Sequence, residues 1–293
     1  MPWLDQPSAL VGMWMFEEDG HPFEGDPRHA LAQILDRYAA RGWQVVAATE
    51  LEFYLIDDSA ESLRPPKDPA SNRKIDSSAI LSLQQLDAFE AFFSELYQSC
   101  AQMGINAQAA SSEAGIGQFE ISLQHGDALR IADDTWLFKT LLKGLARKHG
   151  YAASFMAKPY PNDAGNGLHL HFSVIDEAGE NIFDDGTKQG SPLLQNAIAG
   201  CLATMRAATL GFAPHANSYT RMDPENHAPT SICWGYENRT AALRIPAGAH
   251  RARRIEHRVA GGDINPFLTL SLILGAALLG IEDDLTPPPP ITG

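Results

Sequence analysis

Short stretches in which apolar and polar residues alternate recur along the chain, separated by longer stretches with helical periodicity. Alternation with period two is typical of a β-strand, and apolar residues three to four positions apart are typical of an amphipathic helix. Strands are predicted over 47–57, 118–124 and 167–176, with short strands near 241–246 and 253–259. Helices are predicted over 27–42, 79–103, 133–149, 192–211 and 265–282, and a proline-containing loop over 59–78. The chain is therefore predicted to combine a sheet with several helices.

The first predicted strand carries two carboxylates among apolar residues, in the stretch TELEFYL. Glu50 and Glu52 point to the same face because side chains alternate along a strand. Two like charges about 7 Å apart on one face repel each other. Taken alone, such a pair is typical of the solvated face of an antiparallel sheet.

Three further stretches place potential ligands on one strand face, opposite apolar residues. The polar positions are Glu120 in QFEIS, with Glu113 seven residues upstream, His169, His171 and Ser173 in GLHLHFS, and Arg254, Glu256 and Arg258 in RRIEHR. An HxH pair alone is as typical of surface histidines as of a ligand pair. A basic stretch alone is often solvated or binds phosphate. Together, the four stretches predict a sheet with one apolar face and one chemically active face.

Five glutamates of this set, together with one of its histidines, provide enough side-chain ligands for two or three divalent cations. Carboxylate oxygens favour Mg²⁺ or Mn²⁺, and one imidazole is compatible with Mn²⁺. Bound cations would also offset the repulsion between the carboxylates. The three cysteines are scattered without CxxC spacing, which disfavours a thiolate zinc site and fits a reducing cytoplasm.

Five arginines lie in the last third of the chain: Arg221, Arg239, Arg244, Arg254 and Arg258. Arginine binds phosphate and carboxylate groups through a bidentate fork. Metals together with arginines are typical of phosphoryl transfer, where positioning and charge neutralisation dominate. The chain has neither a Walker loop nor a GxGxxG motif, so a nucleotide site would be of another type. A metal-dependent hydrolase using His169 and His171 is an alternative that leaves the arginines without a role.

The net negative charge disfavours two classes of binding partner. The 293 residues carry a formal net charge of −14, so neither nucleic acid nor an anionic membrane is an expected partner, because both need a basic surface. The stretch MPWLDQPSAL lacks a basic region followed by an apolar run, so no secretory signal is expected and a cytoplasmic location is predicted. The apolar segment PFLTLSLILGAALLGIE is shorter than a membrane span and is predicted to be a buried helix.

Six motifs in order carry a resemblance to a known family: TELEFYL, SSEAGIGQFEISL, GNGLHLHFS, NSYTR, ENRTAALRIP and RRIEHR. They resemble the catalytic domain of the bacterial type I glutamine synthetases. Within that family they are similar in particular to the γ-glutamylpolyamine synthetase branch. The resemblance implies an α+β fold, with a curved, largely antiparallel sheet as an open half-barrel and helices packed outside. It implies one catalytic domain over 1–293, with an initial segment (1–25) and a proline-rich terminal segment (283–293). The family's N-terminal β-grasp domain and C-terminal part are expected to be absent, and a homo-oligomer is expected because the family assembles as double rings of hexamers.

The resemblance also assigns roles to the site residues. It implies that Glu52, Glu113 and Glu120 hold one cation, and that Glu50, His169 and Glu256 hold another. It implies that His171, Ser173, Arg244 and Arg254 bind ATP, and that Gly165, Arg221 and Arg258 bind glutamate. Arg239 would neutralise the transferring phosphoryl group. His227 stands where the family has a flap glutamate that helps to deprotonate ammonium, and Ala164 stands where it has an asparagine beside the glycine.

The implied reaction is an ATP-dependent ligation of glutamate and an amine through a γ-glutamyl phosphate. A neutral imidazole at His227 can accept a proton but lacks the negative charge that attracts ammonium, which favours a polyamine or a small alkylamine. Glutamine synthesis from ammonia is one alternative. A truncated, non-catalytic relative that binds nucleotide and metal is another, from a different class.

Overall fold

The protein is built on one curved sheet whose strands come from all parts of the chain. The computed structural model describes residues 1–75, 77–223 and 228–292. In these ranges the strands are β1 (Gln44–Ile56), β2 (Ala107–Ser112), β3 (Gln118–Asp127), β4 (Ala152–Ser154), β5 (Leu168–Ile175), β6 (Trp234–Tyr236), β7 (Leu243–Ile245) and β8 (Ile255–His257). The order across the sheet is β2-β3-β1-β5-β8-β7-β6, and β4 pairs with the end of β1. Among the described strands, β6 and β7 pair parallel and the other pairs are antiparallel, so the sheet is largely antiparallel and open.

Helices cover one side of this sheet and bury its apolar face. They are α1 (Pro27–Ala39), α2 (Leu83–Ala88), α3 (Glu90–Met103), α4 (Ala128–Lys148), α5 (Pro192–Thr204), α6 (Thr209–Phe212), α7 (Ala216–Thr220) and α8 (Pro266–Glu282). α4 packs against β1, β3 and β4, and α8 packs against α1, α4 and α5. The α+β architecture expected from the motifs is thereby confirmed.

The apolar positions of the central strands form the core. Leu51 and Phe53 on β1, Ile121 on β3, and Leu168 and Leu170 on β5 are fully buried. Burying a leucine or phenylalanine side chain contributes about 1.5–3 kcal/mol each. Because this face is buried in the core, a shift in strand register would expose it, so the register is fixed. The polar side chains of the same strands must therefore point to the other face.

Local chemistry explains where several helices begin. Pro27 and Pro266 occupy the first turns of α1 and α8, where a missing N–H costs nothing. The Asn265 side chain accepts hydrogen bonds from the backbone N–H groups of Phe267 (3.0 Å) and Leu268 (3.2 Å) at the start of α8. The proline-rich terminal segment returns to the sheet, where the Trp234 indole N–H donates to the Pro288 carbonyl (2.7 Å).

The predicted elements differ from the observed ones mainly at their ends. The predicted helix over 79–103 is two helices that meet at Phe89, and the predicted helix over 192–211 ends at Thr204. α4 begins at 128 rather than 133, because the Asp127 side chain caps it by accepting from the Arg130 N–H (3.1 Å). β2 and β4 were not predicted because their sequences, AQAASS and AAS, consist mainly of small residues with weak strand propensity.

In the part of the chain that the structure describes, none of the helices combines the length and apolar character needed to cross a bilayer.

Candidate active site

The polar face of the sheet carries a continuous row of charged side chains, set by strand register. Glu120 on β3 lies opposite Glu52 on β1, and Glu50 on β1 lies opposite His169 on β5. His171 on β5 then lies opposite Glu256 on β8, which in turn lies opposite Arg244 on β7. Directly opposed residues share a face and have Cβ atoms about 4.5–5.5 Å apart. The row therefore brings together most of the predicted ligands from five strands.

Glu50 lies at the centre of the row and contacts both histidines. Its Oε2 is 3.2 Å from His169 Nδ1, and its Oε1 is 3.1 Å from His171 Nε2. Burial would raise the pKa of Glu50, but hydrogen bonds from His169 and His171 outweigh it, so the pKa lies well below its usual range. Glu50 is therefore an anion that two imidazoles hold in place.

Glu256 is completely buried and engages two arginines. Arg244 Nη1 donates to its Oε2 (2.7 Å), Arg258 Nη1 donates to its Oε1, and His169 Nδ1 is 4.0 Å from the same Oε1. Burial would raise the pKa of Glu256, but the nearby histidines and arginines outweigh it and lower the pKa. The predicted ATP ligand Arg244 and the predicted glutamate ligand Arg258 thus both contact a predicted metal ligand.

The carboxylates on the other side of Glu50 repel one another. Burial, followed by the negative charge of Glu52, raises the pKa of Glu113 to about 7. Burial, followed by the charges of Glu50 and Glu52, raises the pKa of Glu120 to about 9. Raised carboxyl pKa values of this kind are typical of a functional site that binds a compensating cation.

Two groups of side chains among the described residues have ligand atoms close enough to hold one ion each: Glu50, Glu120 and His169, and Glu50, His171 and Glu256. Glu50 belongs to both. Their oxygen and imidazole donors fit Mg²⁺ or Mn²⁺. The grouping differs from the sets implied by the family motifs, which placed Glu52 and Glu113 with Glu120, and His169 with Glu256.

His171 accepts a hydrogen bond that fixes which of its two ring nitrogens carries the proton. Arg254 Nε donates to His171 Nδ1 (3.3 Å), so Nε2 of that ring carries the proton. A protonated nitrogen cannot bind a metal ion. With this proton the second group offers an ion only Glu50 and Glu256, while His171 Nε2 lies 3.1 Å from Glu50 Oε1 and is a donor available to a phosphate.

A cavity of about 630 Å³ opens beside this row. Its wall includes Glu50, His171, Ser173 and Arg254. Three of the four predicted ATP ligands therefore line one cavity, and its volume lies in the range of small-molecule sites, about 300–1,000 Å³. Arg244 does not line it, because its guanidinium binds Glu256.

The predicted glutamate ligands meet near the start of β5. Arg221 is buried, and its Nη1 donates to the Val259 carbonyl (3.0 Å). A Cβ at Gly165 would lie 2.7 Å from Arg221 Cγ, and a Cβ at Gly167 would lie 2.6 Å from Arg221 Nη2. Gly165 needs glycine, because a Cβ there would also lie 2.6 Å from the Ala157 backbone carbonyl, whereas a Cβ at Gly167 would meet the end of the Arg221 side chain.

Gly167 contributes to the site although its motif gave it no role. Its N–H donates to Glu52 Oε2 (2.5 Å), which holds a predicted metal ligand whose negative charge acts on Arg221. The signal was present in GNGLHLHFS, where glycine precedes the histidine strand, but the backbone donation depends on the register between β1 and β5.

Arg239 and His227 stand apart from this set. Arg239 is exposed, on a turn after β6, and its positive charge acts on Glu113. Glu237, two residues earlier, has φ +58°, so the chain turns here and Arg239 and Arg244 do not share one straight strand. His227 lies outside the described residues.

Comparison with known proteins shows what the chain is similar to. It matches the family described as "Glutamine synthetase, catalytic domain" over residues 24–293. It is 39% identical over 275 residues to a γ-glutamylputrescine synthetase of Escherichia coli (strain K12), covering 92% of this chain and 58% of that protein. It is 34% identical over 295 residues to a glutamate–isopropylamine ligase of Pseudomonas sp, covering 100% of this chain and 64% of that protein.

A solved structure of GmaS in complex with ADP superimposes with a TM-score of 0.83 at 30% identity, covering 93% of this chain and 63% of that one. The chain thus spans about three fifths of the length of the relatives it matches.

Proposed function

Because the chain belongs to the glutamine synthetase family through its catalytic domain, we propose that it catalyses ATP-dependent ligation of glutamate to an amine. The proposed acceptor is a polyamine or a small alkylamine. Support comes from three relatives that are 34–39% identical to this chain and are named as a γ-glutamylputrescine synthetase, a γ-glutamylethanolamide synthetase and a glutamate–isopropylamine ligase. The single observation that carries the proposal is the row of carboxylates and histidines on one sheet face beside a cavity that Arg254 lines.

The proposed reaction has two steps. A γ-carboxylate oxygen of glutamate attacks the terminal phosphorus of ATP, so an oxygen–phosphorus bond forms and ADP leaves. The amine nitrogen then attacks the γ-carbonyl carbon, the carbon–oxygen bond to phosphate breaks, and inorganic phosphate leaves. The first step converts a poor leaving group into a good one.

The residues of this chain bind and orient the reactants in the proposal. Arg221 and Arg258, with the backbone at Gly165, hold the glutamate, because a guanidinium fork fits a carboxylate. His171, Ser173 and Arg254 hold the nucleotide in the cavity that they line. Arg244 joins them in the proposal by turning from Glu256, which its guanidinium binds in this structure. His171 can donate from Nε2 to a phosphate oxygen, since Arg254 occupies its Nδ1. Holding two reactants in a reactive geometry removes much of the entropic cost of their encounter.

Arg239 and His227 have the two remaining roles in the proposal. Arg239 is exposed near Glu113 and would move onto the transferring phosphoryl group. His227 would accept the proton that the amine loses. Glu50, Glu52, Glu113, Glu120, His169 and Glu256 would hold two or three Mg²⁺ or Mn²⁺ ions. Bound cations would neutralise the negative charge on the phosphoryl oxygens.

The proposal extends to organisation and location. Residues 1–293 are proposed to form one catalytic domain that works in the cytoplasm as part of a homo-oligomer. Exposed apolar side chains of the initial segment, including Val11 (69% exposed) and Met13 (75% exposed), support association.

Acceptor competition tests the reaction class. The chain is incubated with ATP, glutamate and Mn²⁺, and phosphate release is measured with putrescine, isopropylamine or ammonium, with product mass as a check. We expect kcat/KM for at least one organic amine to exceed that for ammonium by about tenfold or more, because hydrophobic and polar contacts to a larger amine add transition-state binding. Ammonium outperforming every amine would support glutamine synthesis instead. Nucleotide binding without turnover would support the non-catalytic alternative.

A further inference from the structure

Two buried amide side chains lie behind the proposed glutamate site. Gln118 is 1% exposed and Asn166 is 0% exposed. Gln118 Nε2 donates to the Gly165 carbonyl (3.0 Å) and to Asn166 Oδ1 (3.0 Å), while its Oε1 accepts from the Gly115 N–H (2.9 Å). Its two donors and its acceptor oxygen are therefore all engaged, with three partners in two separate segments.

Asn166 extends this network into a third segment. Its Nδ2 donates to the Ser154 carbonyl (3.1 Å) and to the Met156 carbonyl (2.9 Å), beside β4. Its Oδ1 accepts from Gln118. A fully satisfied network of buried amides holds its segments in one arrangement, because each lost partner leaves a buried polar atom unpaired.

One end of the network sets the position of Arg221. A Cβ at Gly165 would lie only 2.7 Å from Arg221 Cγ and 2.6 Å from the Ala157 carbonyl, so the Gly165 backbone is packed directly against the arginine stem. Gln118 fixes that backbone by its hydrogen bond to the Gly165 carbonyl. A displacement of the Gly165 peptide would therefore displace Arg221.

The other end of the network sets the position of Glu113. The Gln118 carbonyl accepts from the Glu113 N–H (2.9 Å), and the Gln118 N–H donates to the Gly115 carbonyl (3.0 Å). Together with the bond from the Gly115 N–H to the side chain, these contacts close the turn over 113–118. Gln118 thus contacts both the turn that carries a predicted metal ligand and the segment before β5 that contributes Gly165 to the proposed glutamate site.

We propose that Gln118 is a positioning residue for the ligase reaction, which fixes the distance between the glutamate-binding arginine Arg221 and the carboxylate cluster at Glu113. This inference rests on the proposed function. Gln118 is buried and acts through Gly165 and the 113–118 turn. A glutamine is required because the position needs two donors and one acceptor, which a leucine, a methionine or a glutamate cannot supply.

The test substitutes Gln118→Met, which keeps the length of the side chain and removes its hydrogen bonds. Asn196→Leu is the matched control, because Asn196 is also a buried amide, whose Nδ2 donates to Asp284 Oδ1 (3.0 Å) and the Leu285 carbonyl (2.8 Å). We expect Gln118→Met to raise the KM for glutamate about tenfold, the change that follows from losing one or two buried hydrogen bonds. We expect the KM for ATP to change less than about twofold, because the cavity lies on the other side of Glu50.

The control separates positioning from general stability. Asn196→Leu should lower Tm by a similar amount while leaving both KM values as in the parent. If Gln118→Met does not fold, Gln118→Glu replaces it, because it keeps the acceptor oxygen, and the same rise in glutamate KM is expected. If a folded Gln118 variant keeps the parent's KM for glutamate, the positioning role of Gln118 is wrong, while the proposed ligase function still stands.

Calorimetry of glutamate binding distinguishes this failure from failure of the proposed function. A parent chain that binds glutamate, with a weaker Kd in the Gln118 variant, supports the inference even if turnover is slow. A parent chain that neither binds glutamate nor turns it over overturns the ligase assignment, and the positioning role with it.

Discussion

Replacement of Glu50 by alanine is expected to reduce ligase activity and Mn²⁺ affinity by at least about a hundredfold, since loss even of an outer partner of a metal ligand costs ten- to a hundredfold. Glu50 is the carboxylate shared by both candidate ion groups, and its two oxygens lie near His169 and His171. One substitution therefore removes a ligand from each group. Titration calorimetry with Mn²⁺ and with Mn²⁺–ATP measures the loss directly.

The same variant is expected to stay folded. After burial, Glu50 is the largest cause of the raised pKa of Glu120, so its removal relieves repulsion within the cluster. Glu61→Ala, which removes an exposed glutamate from the loop after β1, is the control and should change neither affinity nor activity. Parent-like Mn²⁺–ATP binding by Glu50→Ala would show that the glutamate row is a polar sheet face without bound cations.

Replacement of Glu256 by alanine is expected to cause the largest loss of stability, about 3–5 kcal/mol in the free energy of unfolding. Glu256 is 0% exposed and contacts both Arg244 and Arg258. Removing it leaves the guanidinium groups of the half-buried Arg244 and the buried Arg258 without this carboxylate partner. Urea unfolding of the metal-free protein, followed by circular dichroism, measures the change.

Glu95→Ala provides a matched control for Glu256→Ala. Glu95 also contacts two basic side chains, Lys148 (2.5 Å) and His149 (2.8 Å), but its side chain is 29% exposed. Partly exposed ion pairs contribute about 0–1 kcal/mol, so Glu95→Ala should have a small effect. Equal losses for the two variants would contradict the view that burial makes Glu256 a structural anchor of the site.

The polar face of the sheet was predictable because strand alternation is local. The repeat of polar residues in TELEFYL, QFEIS and GLHLHFS fixes which side chains share a face, whichever strands become neighbours. The fold class and the family followed from the order of the motifs, and both are confirmed. The sequence therefore indicated which residue types share the polar face, and only the structure shows how they are arranged.

The family resemblance placed Glu50 with His169 and Glu256, but the strands themselves do not show which atoms meet, because that depends on long-range register. Nothing local indicates that Glu50 pairs with His169, or that Arg244 and Arg258 converge on Glu256. The backbone donor at Gly167 was missed for the same reason. Gln118 was read as the first residue of a strand, and its role emerges only when the 113–118 turn meets the backbone at 165.

The proposed activation of glutamate as a γ-glutamyl phosphate is tested most directly by oxygen isotope transfer. Glutamate labelled with oxygen-18 in its γ-carboxylate is incubated with ATP, Mn²⁺ and putrescine, and the released phosphate is analysed by mass spectrometry. Because the attacking carboxylate oxygen stays on phosphorus when the carbon–oxygen bond breaks, we expect one labelled oxygen in each phosphate released with product. Phosphate released without label would mean that water attacked ATP, and it would contradict the activation of glutamate as a γ-glutamyl phosphate.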